Sequence, residues 1–430
     1  MHFPSFGFIK IWYNALYTKT PWERKVSTMK DAARYEDFKQ KGLCLDMSRG
    51  KPSTLQLDLS GPMLAPLTNF LAEDGVDVRN YGDPLGIPEA RRLMGQLLDM
   101  PPEQVIVGGN SSINLLFDAL ARAVLHGPLP GDVPWGCRKG TKILCPVPGY
   151  DWHFGMCDML GLTVVPIPTH PQGPDMELIE TLVRDPLVKG MLCVPMYGNP
   201  SGVTYSEEVV DRLACMRPAA KDFRIFWDHA YCVHHLYPDR RDTLKNLYQA
   251  CLHAGCPDRV LMFTSTSKIT YAGGGISAIA ASPANIRHQA ERMRFQRVCY
   301  DKVNQLRHVR FLPHRAAVEA HMEKHAAILR PKFDLALDML EKELSGIATW
   351  SKPLGGYFIC FKGPQGCAGR TVELCRQAGV TLTHAGSVFP GNHDPEDAFL
   401  RLAPSYPPME ELEPAMELFT LAVRLAMAER

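Results

Sequence analysis

From about residue 105 to residue 295 the chain alternates two textures. Short, mainly apolar runs are separated by longer segments in which apolar residues recur every three or four positions. The runs are Val105–Val107, Lys142–Cys145, Leu162–Ile167, Gly190–Val194, Arg224–Trp227, Val260–Phe263 and Ile276–Ala280. They have strand length, and their lack of alternation predicts strands buried on both faces. The intervening SINLLFDALARAVL, SEEVVDRLACM and ANIRHQAERMRFQ carry an apolar stripe at helical spacing. Strands that alternate with helices predict an α/β fold, with a mostly parallel seven-stranded sheet covered by helices.

After residue 310 the pattern changes. A long helical run from Ala316 to Leu344 is followed by ATWSKPLGGYFICF and DAFLRLAPS, which predict a smaller α+β unit. Residues 30–60 have no large apolar set of their own and are expected to pack on that unit. The expected organisation is residues 1–60 as an N-terminal arm and part of the small domain, 61–310 as the large domain, and 311–430 as the C-terminal small domain. No internal repeat or low-complexity linker interrupts it.

Bulk numbers narrow the picture. Apolar residues make up 46% of the 430, enough for a full core without disulfides. The net charge of +1 gives no global field toward nucleic acid or a membrane surface. Thirteen cysteines are scattered with no C-x-x-C pair, which fits a reducing cytoplasm. The first 28 residues are aromatic-rich with one acid, Glu23, and lysines interrupt them. No small-residue cleavage site follows an apolar core, so they do not read as a secretory signal, and no function is placed there.

In open α/β sheets ligands sit off the carboxyl ends of strands, so the loops there carry the chemistry. They read Gly108-Gly-Asn-Ser-Ser112, Pro146-Val-Pro-Gly-Tyr150, Pro195-Met-Tyr-Gly-Asn199-Pro-Ser-Gly202, Asp228-His-Ala-Tyr231 and TSTSKITYAGGGIS from Thr264. GGNSS at a helix start is either an ordinary capped helix or a phosphate cradle. Asp228, at the mouth of a buried strand, either caps a turn or meets a cationic partner. Lys268 is either a surface lysine or an amine in a low-bulk pocket that forms a Schiff base. No Walker sequence precedes it, so it is not a P-loop lysine. Jointly, a phosphate site, an acid for a ring nitrogen and an amine for an aldehyde describe pyridoxal 5'-phosphate.

At this point the sequence resembles the fold-type I pyridoxal-phosphate enzymes of the class I/II aminotransferase family. The matching motifs are Tyr81 and Gly86 in NYGDPLG, then GGNSS, PVPGY, YGNPSG, DHAY, STSK, GGYF, and Arg401 in FLRLAP, spread over residues 46–405. LDMSRGKPS, HAGSVFPGN and DKVNQLRHVRF are similar to a bacterial aspartate aminotransferase subgroup. The resemblance implies that Lys268 holds the cofactor, that Asp228 pairs with its ring nitrogen, and that Asn199 and Tyr231 contact its phenolic oxygen. It implies phosphate contacts from Asn110, Ser111, Ser112 and Ser265, with Tyr81 reaching in from the second subunit of a homodimer. Tyr150 lies near the position of the ring-stacking aromatic. Gly50 and Arg401 would hold the substrate α-carboxylate, Arg401 as a bidentate fork. The implied reaction is ping-pong transamination between an L-amino acid, aspartate by the subgroup match, and 2-oxoglutarate. Lys268 would move the proton.

Two departures stand out. Many relatives place a phosphate-binding arginine eight residues after the lysine, where this chain has Ile276 within GGGIS. Close backbone approach is the expected substitute. The family's P-x-[Tyr/Trp]-P ends here in Asp151 instead of proline. A dicarboxylate substrate needs a second cation, and Lys302 is the candidate, with Arg307 or Arg49 as others. The alternative for Arg294, Arg297, Lys302 and Arg307 is a solvated helix face. DHAYCVHH places His229, Cys232, His234 and His235 together, but adjacent histidines on one strand end lack metal spacing, so no metal is expected. Transfer from aromatic or neutral amino acids, and a lyase using the same cofactor, are the alternative activities. A regulator with an appended DNA-binding module is not expected, because no basic helix-turn-helix pattern precedes LDMSRG.

Overall fold

The computed structural model describes residues 21–430, with side chains from residue 29 onward. The segment 1–20 and the side chains of 21–28 lie outside the described residues, and with them most of the aromatic N-terminal stretch.

Thirteen strands occur in the described chain: β1 (Leu45–Asp46), β2 (Val105–Gly108), β3 (Lys142–Val147), β4 (Thr163–His170), β5 (Gly173–Pro174), β6 (Val188–Cys193), β7 (Arg224–Asp228), β8 (Val260–Ser265), β9 (Ser277–Ala281), β10 (Thr349–Trp350), β11 (Ile359–Lys362), β12 (Val380–Thr381) and β13 (Phe399–Leu402). The central sheet runs β2-β9-β8-β7-β6-β3-β4-β5. Strands β4, β3, β6, β7 and β8 pair in parallel, and β9 is antiparallel to both β8 and β2. Each of the seven predicted runs contributes a strand. The sheet has eight strands, not seven, because β5 adds a two-residue antiparallel edge. Two residues carry no periodicity, so nothing in their pattern distinguishes them from a turn.

Every residue of β2, β6, β7, β8 and β9 is buried, as expected of strands covered by helices on both faces. One face packs against the helices Pro88–Leu98, Met176–Leu182 and Glu207–Cys215 through residues such as Leu93, Ile179 and Val210. The other packs against Ser112–His126 and Asp151–Met159 through Leu116, Leu120 and Phe154. β4, next to the edge, is more exposed and includes Pro166 and Pro168.

A second core gathers the antiparallel sheet β10-β11-β13 and the helices Arg315–Leu344, Ala368–Gln377 and Met409–Ala428 around Phe333, Phe361 and Phe419. The helix Pro21–Gln40 packs on Met409–Ala428, and β1 pairs in parallel with β12. Arg424 joins three of these helices by ion pairs to Asp31 at 3.1 Å and Glu343 at 2.8 Å. Among the described residues no helix is long and apolar enough to cross a membrane.

Candidate active site

Sheet register sets out the site. Gly108 of β2, Ser277 of β9 and Ser265 of β8 lie abreast, and Asp228 ends β7 opposite Phe263. The loops that follow β2, β3, β6, β7 and β8 therefore share one rim, on which most of the predicted residues stand.

Asp228 is 3% exposed. Its carboxylate accepts from Ser112 Oγ at 3.4 Å, and its other oxygen lies 3.6 Å from His153 Nε2. Both contacts are long, and among the described residues His153 Nε2 has no hydrogen-bond partner. A buried carboxylate this loosely held has room for one further N–H donor. His153 was not singled out from the sequence. It is a lone histidine in the first turn of a helix, and only folding brings it to Asp228.

Lys268 leaves the end of β8 in a turn closed by Ile269 N–H and Thr270 N–H donating to Thr266 O at 2.9 and 2.8 Å. Its Nζ lies 5.0 Å from the centre of the Tyr231 ring. Burial lowers the Lys268 pKa below the usual lysine value; Asp228 opposes that shift and the Arg401 charge adds to it. The amine thus has a larger neutral fraction than a surface lysine. Burial pushes the Tyr231 phenol well above its usual value, with Tyr150, Tyr357 and Asp228 adding to it, so it stays a hydrogen-bond donor. Tyr357 Oη donates to Lys268 O at 3.4 Å and accepts from Gln56 Nε2 at 2.9 Å, tying the lysine turn to the second core.

At the anion end, Ser111 accepts from Ile113 N–H and caps the helix Ser112–His126. Ser265 Oγ lies 2.9 Å from Ser267 Oγ, which donates to Asn110 O at 2.5 Å, and Asn110 Nδ2 donates to Ala272 O at 3.0 Å. Hydroxyls from two loops thus meet a helix N-terminus. Ser267, not selected from the sequence, is the bridge. Ile276 is buried in the core and its N–H donates to Thr266 Oγ1 at 2.9 Å. The triple glycine serves docking: Gly274 O and Gly275 O both accept from Asn304 Nδ2, at 2.9 and 3.0 Å. A Cβ on Gly275 would lie 3.1 Å from Asn110 O, so the missing side chain lets the two loops close together.

At the opposite end Arg401 of β13 is 9% exposed. Its Nη1 donates to Asn199 Oδ1 at 3.3 Å and Asp151 Oδ1 at 3.2 Å, while its Nε is buried without a partner among the described residues. The guanidinium stacks on Phe358 at 4.9 Å. Gly50 backs onto the same ring, which a Cβ there would overlap. Tyr150 meets His153 edge-on at 5.1 Å, which sets it beside Asp228. Burial, then the Asp228 charge, raises its phenol pKa.

Two predicted residues stand apart. Tyr81 is 77% exposed. Lys302 is buried, and its Nζ pairs with Asp83 Oδ2 at 3.1 Å and donates to Tyr81 O at 3.3 Å. Lys302, the expected second cation, is thus paired within its own chain and fixes the NYGDPLG loop. In DHAYCVHH, His235 Nδ1 lies 2.7 Å from Tyr197 Oη, and burial lowers the His229 pKa to about 4.

The family model described as aspartate amino-transferase matches residues 23–430. A curated aspartate aminotransferase of Corynebacterium glutamicum is 44% identical over 403 residues, 92% of each chain. The crystal structure of an aspartate transaminase from that organism superposes with a TM-score of 0.92 at 42% identity, covering 96% of this chain and 98% of that one. The structure of a putative aminotransferase from Corynebacterium diphtheriae gives 0.91 at 44% identity, covering 94% and 100%.

Proposed function

The chain belongs to the aspartate amino-transferase family, and on that premise we propose that it moves the amino group of L-aspartate to 2-oxoglutarate, with pyridoxal 5'-phosphate as cofactor and by a ping-pong mechanism. One observation carries the reading. A lysine amine with lowered pKa and a loosely held buried carboxylate stand on one rim, and Arg401 of β13, with Nε unused among the described residues, reaches that rim at Asn199 and Asp151.

The residues present fit the cofactor. The open acceptor on Asp228 suits a protonated ring nitrogen, and its buried charge would keep that proton in place. The helix start at Ser112 with Asn110, Ser111, Ser112 and Ser265 suits the phosphate, with Ser267 as an added hydroxyl. Asn199 and Tyr231 would hydrogen-bond the phenolic oxygen, Tyr150 would cover the ring, and Lys268 would hold the aldehyde carbon. When bound, pyridoxal phosphate supplies an electron sink for the pair left on a substrate α-carbon.

The chain's own groups do the rest. Arg401 and the Gly50 backbone hold the α-carboxylate and so orient the α-hydrogen toward Lys268. The Lys268 amine, neutral in a larger fraction than usual, takes that proton and returns it. The phenol of Tyr231 stays protonated and donates. Thirteen free thiols suit a reducing cytoplasm.

The test is a panel of amino acids with 2-oxoglutarate on the purified, cofactor-loaded protein. Glutamate should form fastest from aspartate, with parallel double-reciprocal lines. No turnover with aspartate would overturn the substrate assignment, and ammonia in place of glutamate would favour a lyase.

A homodimer belongs to the same proposal. Tyr81 at 77%, Phe295 at 81% and Val298 at 60% exposure are large apolar side chains left in solvent, as expected of residues awaiting a partner surface. Sedimentation should give twice the chain mass, and Tyr81→Ala should weaken cofactor retention about tenfold, the loss of one charge-assisted hydrogen bond. A fully active monomer would refute the dimeric site.

A further inference from the structure

Resting on the proposal that Arg401 receives a substrate α-carboxylate, we propose that Asp151 is a positioning residue for it: a built-in counter-ion that turns the guanidinium side-on and sets how tightly the site takes a carboxylate. The Nη1 group of Arg401 has two N–H bonds, and two acceptors stand on it, Asp151 Oδ1 at 3.2 Å and Asn199 Oδ1 at 3.3 Å. Among the described residues neither Nε nor Nη2 has a partner, and Nε is buried. Nε–H and one Nη2–H run parallel along one edge of the planar fork, the edge that matches a carboxylate with two hydrogen bonds. Asp151 and Asn199 together thus fix the rotation that presents this edge.

Asp151 does more than orient. Its side chain is 32% exposed while that of Arg401 is 9% exposed, so the aspartate reaches the buried cation from the solvent side. It is the first residue of the helix Asp151–Met159, where the helix dipole favours its negative charge. A carboxylate bound on the Nε edge shares one guanidinium with that charge, a few ångströms away. The repulsion weakens binding by a factor of about ten at an intermediate effective dielectric. The site therefore binds Arg401's ligand less tightly than the arginine alone would, and releases it faster. The proline that relatives carry at this position has neither charge nor side-chain acceptor.

The experiment measures binding of maleate, a dicarboxylate with no amine to react, to the cofactor-loaded enzyme. The fluorescence of the neighbouring, exposed Trp152 or calorimetry reports it. Asp151→Asn keeps an acceptor oxygen and removes the charge, and the maleate Kd should fall about tenfold. Asp151→Ala loses charge and acceptor together and should tighten binding less. Asp151→Glu should return the Kd toward the parent value, and Asp158→Asn on the same helix should leave it unchanged. In turnover, KM for the amino acid should fall in Asp151→Asn without a matching rise in kcat. An unchanged or raised Kd in Asp151→Asn, with cofactor content and melting temperature intact, overturns the counter-ion role. Equal tightening in the alanine and asparagine variants overturns the orienting role. Should aspartate fail as a substrate while Asp151→Asn still tightens maleate, the substrate assignment fails and this inference stands. If aspartate turns over and the Kd does not move, the inference fails alone.

Discussion

Lys268→Ala is expected to abolish transamination, lowering kcat by at least about 10⁴-fold, because the variant loses the covalent anchor and the proton carrier together. No neighbour replaces it. The phenol of Tyr231, whose ring centre lies 5.0 Å from Nζ, is kept protonated by its raised pKa and so offers no phenolate to take the proton. His234, buried in the adjoining loop, has its pKa pushed well below the usual value chiefly by burial, which leaves it a weak base. Borohydride treatment of the loaded parent should add the reduced cofactor to the Lys268 peptide, and the variant should gain no mass there. Substantial turnover, or cofactor fixed at another lysine, would overturn the assignment.

The same substitution should not unfold the protein. A lysine whose folded pKa lies below its unfolded value destabilises the fold at neutral pH. That cost is relieved as pH rises from the folded value toward 10.5. Removing the amine removes the cost, so the cofactor-free variant should melt no lower than the cofactor-free parent at pH 7. Loss of activity can then be read as lost chemistry.

What was legible in the sequence, and what was not, divides along physical lines. Strands such as Val260–Ser265 were readable because burial on both faces demands unbroken apolar runs. Asp228 and Lys268 were readable because a polar group at the mouth of such a run needs a reason. The edge strand Gly173–Pro174 was not, since two residues have no period. Lys302 read as a free cation because its partner Asp83 is 219 residues away and nothing local announces the pair. The bridge between Asp151 and Arg401, 250 residues apart, was visible only as a missing proline. His153 belongs to the same class. A side chain whose meaning lies in a contact made by tertiary folding leaves no trace in a linear pattern. The triple glycine was read as backbone approaching the phosphate where relatives carry an arginine. The recorded contacts, however, are with Asn110 and Asn304.

Asp228→Asn is expected to lower kcat about 10³-fold while leaving the fold and cofactor binding largely intact, the scale of removing one preorganised charge from a dry site. Asparagine has nearly the same shape, and its oxygen can still accept from Ser112 Oγ, which lies 3.4 Å from Asp228 Oδ1. What it lacks is charge. At 3% exposure the Asp228 carboxylate is screened little by water, and among the described residues its only other polar side-chain contact is His153 at 3.6 Å. A neutral amide cannot hold a proton on a ring nitrogen at neutral pH, so the electron sink weakens although the ring still binds. The two explanations of a slow variant, lost charge or lost geometry, separate on one reconstitution. A cofactor analogue methylated on the ring nitrogen carries a permanent positive charge and needs no proton held in place. It should restore a substantial part of the lost rate in Asp228→Asn and none in Lys268→Ala. If it restores nothing in Asp228→Asn, the aspartate acts through geometry, and its assignment as partner of the ring nitrogen falls.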